Sequence, residues 1–491
     1  MLNAVRETPT YAAVPAPPRS AGRSAAPSLR LGAGALAGAL GTAAMGASAG
    51  VCTVIVAAAA ERPSFLSGPA QHGFPGWMVG PLAHRFASLP PSPPALQADF
   101  TRALALLGIA WVVAWLCADH VPAPVLWGAA IGTQVVLLLG PPLSLTDLFN
   151  YLHYGRMAPL HGLNPYTALP LAAAHDPSYR FSNWHHLPSP YGPLFTLITE
   201  PLAALSVPAA YWTLKGLLLA ASVGTLAVVA STARRLGRSP RAAVALVAFN
   251  PLVLVYGIGG AHNEPLVLLP AVGAVALVVA GREACRPWCD AGAGACIVLA
   301  AGVKPSLALL APLVVLASRQ RRAALAGAAA AGAATLLAIV VAFGGHLPAT
   351  SVQDRLVTPL SAVNVLAALA GHGGLTAADR TLAHGVLALV AVAACVAVWR
   401  RRELLPGAAG IVMLATVLTL GWTMPWYVWW ILPFAALART RALAGACVLL
   451  SLWLALGAIP QMPKLLHSAG YYPTRTAVGR ANHQFTERYL K

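Results

Sequence analysis

The sequence predicts an all-α polytopic membrane protein, and three observations carry that reading. Of 491 residues, 58% are hydrophobic and 9% charged, and the mean hydropathy is +0.69. That leaves too little polar surface to cover a water-soluble globule of this length. Apolar runs able to cross roughly 30 Å of hydrocarbon, about 20 residues each with some shorter, recur between residues 31 and 460, giving about 13 helices. Arginines fall in small clusters between those runs, as expected of loops that stay on the cytoplasmic side.

Residues 1–28 are rich in Pro, Ala, Ser and Arg without an apolar period, so a disordered cytoplasmic tail is expected. The run at 31–60 is too long for the core of a cleaved leader and reads as an uncleaved first helix, running from inside to outside. Segments near 101–118, 121–141, 208–231, 242–258, 264–281, 291–303, 305–317, 323–343, 381–399, 405–422, 425–438 and 442–460 follow. Threading them alternately places every basic cluster inside: Arg234, Arg235, Arg238 and Arg241; Arg282 and Arg286; Arg319, Arg321 and Arg322; Arg400, Arg401 and Arg402; Arg439 and Arg441. The formal charge of +18 therefore marks topology rather than a nucleic-acid surface, and no nucleic-acid partner is expected.

Within a membrane domain at 29–460, the threading leaves 61–100, 142–207 and 344–380 outside, with a basic tail at 461–491. The 142–207 loop is long, rich in Tyr, Trp, His and Pro, and expected to be ordered against the bundle through short surface helices. The seven cysteines lie mostly in apolar runs, where a thiol behaves as a small hydrophobe. Cys285, Cys289 and Cys296 lack the further ligands of a zinc site.

Acids number only 14, so Asp147 at the water edge of the bundle is a functional candidate. The same boundary collects GGAHNEP at 259–265, with His262, Asn263 and Glu264; VKP at 303–305, with Lys304; and Lys215, about two turns into the helix leaving the loop. A carboxylate on the outer face, cations at the hydrocarbon boundary and aromatic rings around both match a sugar on a polyprenyl phosphate. The carboxylate takes the proton of an attacking hydroxyl, and Lys or Arg neutralises the departing phosphate. Tyr151, Tyr154, Trp184 and Tyr191 can stack on sugar rings.

Plainer roles stand beside these. Thr146 and Asp147 are both good helix N-caps. Arg156 can snorkel to the interface instead of holding phosphate. NPY at 164–166 and SPYGP at 189–193 are turn formers, so Asn164, Tyr166 and Tyr191 either contact sugar or shape the loop. His185 and His186 have no partner at ligand spacing. Lys304 either ends a short helix or finds a lipid phosphate, and Trp422, Trp426, Tyr427, Trp429 and Trp430 suit an interfacial belt.

In order, DLFNYLHYGR, GLNPY, SPYGPLF, GGAHNE, KP and PWYVWWILP resemble the actinobacterial polyprenol-phosphomannose-dependent α-1,6-mannosyltransferases of lipomannan assembly, within the C-type glycosyltransferase superfamily. The resemblance covers most of residues 100–460. It implies a C-type bundle and inverting transfer from a β-linked mannosyl phosphopolyprenol to a glycan or glycolipid acceptor, at the outer face of a bacterial inner membrane. It gives Asp147 the role of base. The related pattern usually reads His-Asn-Asp where this chain has His262, Asn263 and Glu264, which leaves the role of Glu264 open. No tightly bound cofactor is implied, and a divalent metal is undecided. Three rivals remain: a catalytically inactive membrane scaffold, transfer of another polyprenyl-phosphate sugar such as arabinose or glucose, and a transporter or flippase of lipid-linked sugars. The last would be expected to show repeated halves and ionisable groups at mid-bilayer.

Overall fold

The computed structural model describes residues 27–61, 74–83, 93–144, 147–284, 286–348 and 355–489. Among these every regular element is helical. Thr146, Cys285, nearly all of the expected tail at 1–28 and much of the 61–100 loop lie outside the described residues. The elements used below are α1 (Pro27–Glu61), α2 (Pro93–Cys117), α3 (Ala123–Leu138), α4 (Asp147–His161), α5 (Val207–Arg235), α6 (Pro240–Ala248), α7 (Glu264–Ala284), α8 (Pro287–Val303), α9 (Arg321–Phe343), α10 (Ala377–Arg400), α11 (Leu405–Thr419), α12 (Ala442–Ala458) and α13 (Ala477–Tyr489).

Seven helices among the described residues are long and apolar enough to cross a bilayer, or eight if α12 and the sharply bent helix after it count as one span. Three more apolar helices, Ala123–Leu138, Pro287–Val303 and Pro305–Ala317, fall short of that length. Several expected helices are also broken. The segment expected at 242–258 stops at Ala248, and Val253–Ile258 then winds as a π-helix. Pro251 has no N–H to give, and Asn250 turns its side-chain oxygen back onto the N–H groups of Leu252 and Val253. The segment expected at 425–438 is a 3₁₀ turn, Pro425–Trp430, followed by a single helical turn or two at Leu432–Leu437.

One large apolar core holds the bundle together, with Trp111, Phe149, Tyr211, Phe249, Trp429 and Phe434 among its members. Helices pack closely where side chains are small. A Cβ on Gly327 of α9 would sit 1.9 Å from the carbonyl oxygen of Ala291 in α8, so only glycine lets those two backbones approach.

The described residues of the 142–207 region pack against the bundle, but their main helix is not a surface one. α4 is buried over ten consecutive positions, Leu148 to Met157, and packs against α5 and the turns at 193–204. Phe149 stacks on Tyr211 of α5. The 344–380 region contributes Ala362–Leu369, and the C-terminal region folds into Met462–Ser468 and α13.

Candidate active site

α4 sets one face of the site. Positions 147, 150, 151 and 154 recur at i, i+3, i+4 and i+7, so Asp147, Asn150, Tyr151 and Tyr154 line one side of the helix. Asp147 stands in the first turn, where the helix dipole favours a negative charge. Its Oδ1 accepts from Asn150 Nδ2 at 3.1 Å and from Trp184 Nε1 at 3.5 Å. Asn150 in turn pairs with Asn183 in both directions, donating at 2.7 Å and accepting its N–H at 2.9 Å. The carboxylate is thus oriented by a loop segment more than 30 residues downstream, while its side chain stays 14% exposed and within reach of a substrate.

The π-helical stretch delivers the second face. It ends in the GGAHNE turn, where Ala261 takes a left-handed φ of 53°, and His262 N–H donates to Gly257 O. His262 is buried and stacks on Trp426 at 3.6 Å. Its Nδ1 lies 3.6 Å from Asp147 Oδ2 and 3.5 Å from the Tyr151 hydroxyl. Burial pushes the imidazole below its ordinary pKa, Asp147 and Glu264 pull it back only in part, and Lys304 adds to the depression. His262 is therefore a neutral ring at pH 7. Burial, reinforced by Asp147, also raises the Tyr151 and Tyr154 phenols, leaving them as neutral hydroxyls. Tyr151 packs edge-on against Tyr191, and Tyr154 donates to Leu187 O at 2.6 Å. Asn263 is buried beside them.

Lys304 leaves the end of α8 and pairs with the carboxylate of Glu264, which is wholly buried. The lysine is itself 21% exposed and lies over the Trp430 and Tyr427 rings at 4.8 and 5.3 Å. The SPYGP motif reaches this corner: a Cβ on Gly192 would sit 2.3 Å from Gly302 O and 2.4 Å from Val303 O. Glycine there lets the loop touch the chain just before Lys304.

Four of the residues expected at the site have other partners in the structure. Arg156 is not available for phosphate: its Nε lies 3.0 Å from both Asp176 oxygens, its Nη1 donates to Leu205 O, and it is buried. Asn164 donates to Phe343 O at 2.8 Å and accepts from Tyr166 N–H, fastening the loop to the end of α9 rather than lining the site. Tyr166 hydrogen-bonds Thr196 at 2.7 Å and donates to Tyr191 O, a loop-shaping role. Lys215 is buried on carbonyl oxygens of Gly140 and Leu137. It shares the lining of a small apolar cavity with His262, so it backs the site without opening into it. Asn150, Asn183 and the Trp426 stack escaped the sequence reading, although the D-x-x-N spacing of Asp147 and Asn150 on a helix could have flagged the first. Among the described residues no group of three His, Cys, Asp or Glu side chains converges to hold a metal.

Comparison with known proteins agrees with the family resemblance. The sequence signature described as the N-terminal domain of alpha-(1->6)-mannopyranosyltransferase matches residues 38–320, more than half of the chain. Alpha-(1->6)-mannopyranosyltransferase A of Mycobacterium tuberculosis is 28% identical over 65% of this chain and 66% of its own. A probable alpha-(1->6)-mannopyranosyltransferase of Mycolicibacterium smegmatis is 32% identical over 31% of this chain and 28% of its own. Alpha-(1->6)-mannopyranosyltransferase B of Corynebacterium glutamicum is 27% identical over 27% of this chain and 23% of its own. The chain thus spans just under two thirds of the first relative and about a quarter of the other two. No solved structure matches it. The matched signature runs through α4, the GGAHNE turn and Lys304, and on it the chain belongs to the alpha-(1->6)-mannopyranosyltransferase family.

Proposed function

We propose that this protein transfers a mannosyl residue from a polyprenyl-phosphate mannose to an extracytoplasmic glycan or glycolipid, forming an α-1,6 linkage with inversion. The single observation that carries the reading is the arrangement around Asp147. It is a partly exposed carboxylate held by Asn150 and Trp184, facing a buried neutral His262, on a wall that continues through Glu264 to a cation at the mouth, Lys304. Asp147 accepts the proton of the acceptor hydroxyl as its oxygen attacks the anomeric carbon. The bond from that carbon to the phosphate oxygen breaks, and polyprenyl phosphate leaves with its developing charge met by Lys304. Tyr151, Tyr154 and Tyr191 present aromatic edges and faces to the sugar, and His262 and Asn263 complete the wall.

The fold that goes with this is a C-type bundle of about 13 crossings, in which the shorter apolar helices and the broken segments at 240–258 and 425–437 also pass through the bilayer. Contacts at the far end support the threading. Arg241 donates to Val121 O, and Arg282 donates to Arg402 O, so basic loops distant in sequence meet away from Asp147. The site then faces outward from a bacterial inner membrane, with 142–207 as its catalytic loop and 344–380 as a second outer loop.

Radiolabelled transfer from synthetic polyprenyl phosphomannose to short α-1,6-mannosides, by purified wild type and Asp147→Asn, tests the reading. Transfer by wild type alone, with both proteins folded, supports it. Wild-type transfer only from arabinosyl or glucosyl donors overturns the mannosyl assignment, and no transfer from any donor favours translocation of lipid-linked sugars.

A further inference from the structure

The end of the bundle opposite Asp147 carries a second built feature. Lys215 and Arg235 are 20 positions apart on α5, about 30 Å at 1.5 Å per residue, which is one hydrocarbon thickness. Beyond Arg235 the chain reverses through Arg238 and Ser239 into α6, and the turn before α12 brings Arg439 and Arg441 to the same place. Between these two turns and the end of α2 lies a cavity of about 260 Å³.

Its rim is cationic and its wall apolar. Arg238, Arg439 and Arg441 line the rim with one acid, Asp119, and that acid already accepts from the Ser239 hydroxyl. The nearby Arg241 is engaged by the Val121 carbonyl. Arg238 Nη1 is buried without a hydrogen-bond partner among the described residues. Burial lowers the pKa of Arg238, and the neighbouring Arg439 lowers it further, so two guanidiniums repel across a space whose one lining acid among the described residues, Asp119, is already engaged by Ser239. The wall is formed by Trp115 and Leu116 of α2 and Leu246 of α6. Leu116 is 59% exposed and continues outward into Ile109 and Leu106 on the same side of α2, 64% and 56% exposed. An apolar ridge therefore leads from the cationic cavity along the outside of the bundle.

We infer that this cavity is a binding site for an anionic glycerophospholipid, its phosphate among Arg238, Arg439 and Arg441 and an acyl chain along Leu116, Ile109 and Leu106. Phosphate is the group that several converging guanidiniums hold best, by charge-assisted bonds in a fork geometry. Basic pockets between helices at the cytoplasmic headgroup level are where such lipids dock. The ridge selects a lipid over a free anion, which would have no use for it. Positive charge needed only for topology would be met by arginines facing water, with no apolar-walled pocket between them.

Native mass spectrometry of the full-length protein in detergent, titrated with phosphatidylglycerol, phosphatidylcholine or inorganic phosphate, tests this site. Wild type should retain one phosphatidylglycerol more tightly than the rest and show no such site for phosphatidylcholine. Arg238→Gln/Arg439→Gln should lose it, with affinity about thirtyfold weaker. Arg439→Gln alone, on an exposed side chain that folding does not need, should weaken it several-fold, and Arg400→Gln at another basic loop should leave it intact. Equal retention by wild type and Arg439→Gln, an equal loss in Arg400→Gln, or occupancy by inorganic phosphate without the lipid would each overturn the assignment.

Discussion

The indole Nε1 of Trp184 lies 3.5 Å from Oδ1 of Asp147, joining the middle of the long loop to the first turn of α4. Trp184 also contacts Trp422 and Phe485, so the group that steadies the proposed base is clamped between three distant parts of the chain. Trp184→Phe keeps the ring and removes the donor. Hydrogen bonds to charged groups are worth about 1.5–3 kcal/mol, and a contact this long belongs at the weak end. We expect transfer by Trp184→Phe to fall about tenfold in kcat/KM with thermal stability unchanged, against complete loss in Asp147→Asn. A rate equal to wild type would remove Trp184 from the site.

The Glu264–Lys304 pair separates stability from activity. Lys304→Met strands a fully buried carboxylate, and breaking one side of a buried pair costs about 3–5 kcal/mol. The double variant Glu264→Gln/Lys304→Met removes both charges and should recover most of the melting temperature. It should not recover transfer, because the cation at the mouth is gone. Transfer restored together with stability would make the pair a structural brace and end the phosphate role of Lys304.

Asp147 was legible in the sequence because acids are scarce and it begins a polar helical face directly after an apolar run. Trp184 and His262 were legible as residues sharing its boundary, but their contacts with it were not. They reach it only through the packing of α4 against α5 and the π-helical stretch before GGAHNE. Arg156 shows the reverse error: seen locally it is a free cation near the interface, and only the folded loop brings Asp176 onto it. Tyr166 reads as an aromatic among turn formers, and nothing nearby signals that Thr196 will take its hydroxyl. Apolar runs gave the membrane class directly, but they do not tell a long straight helix from one interrupted at Asn250 or one broken into a 3₁₀ turn at Pro425–Trp430. The interruptions depend on side chains such as Asn250 competing for backbone N–H groups.

Asp176 gives a pH prediction. Burial alone would raise its pKa, but hydrogen bonds from Ser178 and His161, the Ser178 N–H and the charge of Arg156 together hold it well below the ordinary carboxylate range. A carboxyl depressed in the folded state stabilises fully above its unfolded pKa of about 3.9 and loses that contribution as pH falls through the folded value. The wild type should therefore melt higher than Asp176→Asn by a constant margin above about pH 5, with the margin shrinking at more acid pH. Thermal unfolding of both proteins across that range measures it. A margin that grows on acidification would contradict the assigned ion pair.

The C-terminal helix packs against the loop that carries Trp184. On α13, Asn482, Phe485 and Tyr489 recur at helical spacing on one face. Asn482 accepts from Val357 N–H and donates to Val357 O, Phe485 meets Trp184 edge-on at 6.3 Å, and Tyr489 O accepts from His186 N–H at 3.1 Å. Phe485 is buried in a small cluster with Tyr154, Met157, Trp184 and Leu187, separate from the main core. Truncating it to alanine should loosen α13 and the Trp184 ring while leaving the bundle unaffected. Phe485→Ala is expected to cut transfer several-fold, speed proteolysis within residues 470–489 and leave the main thermal transition in place. Activity that stays at wild-type level while the tail is cleaved faster would show that Trp184 holds its place against Asp147 without the helix behind it.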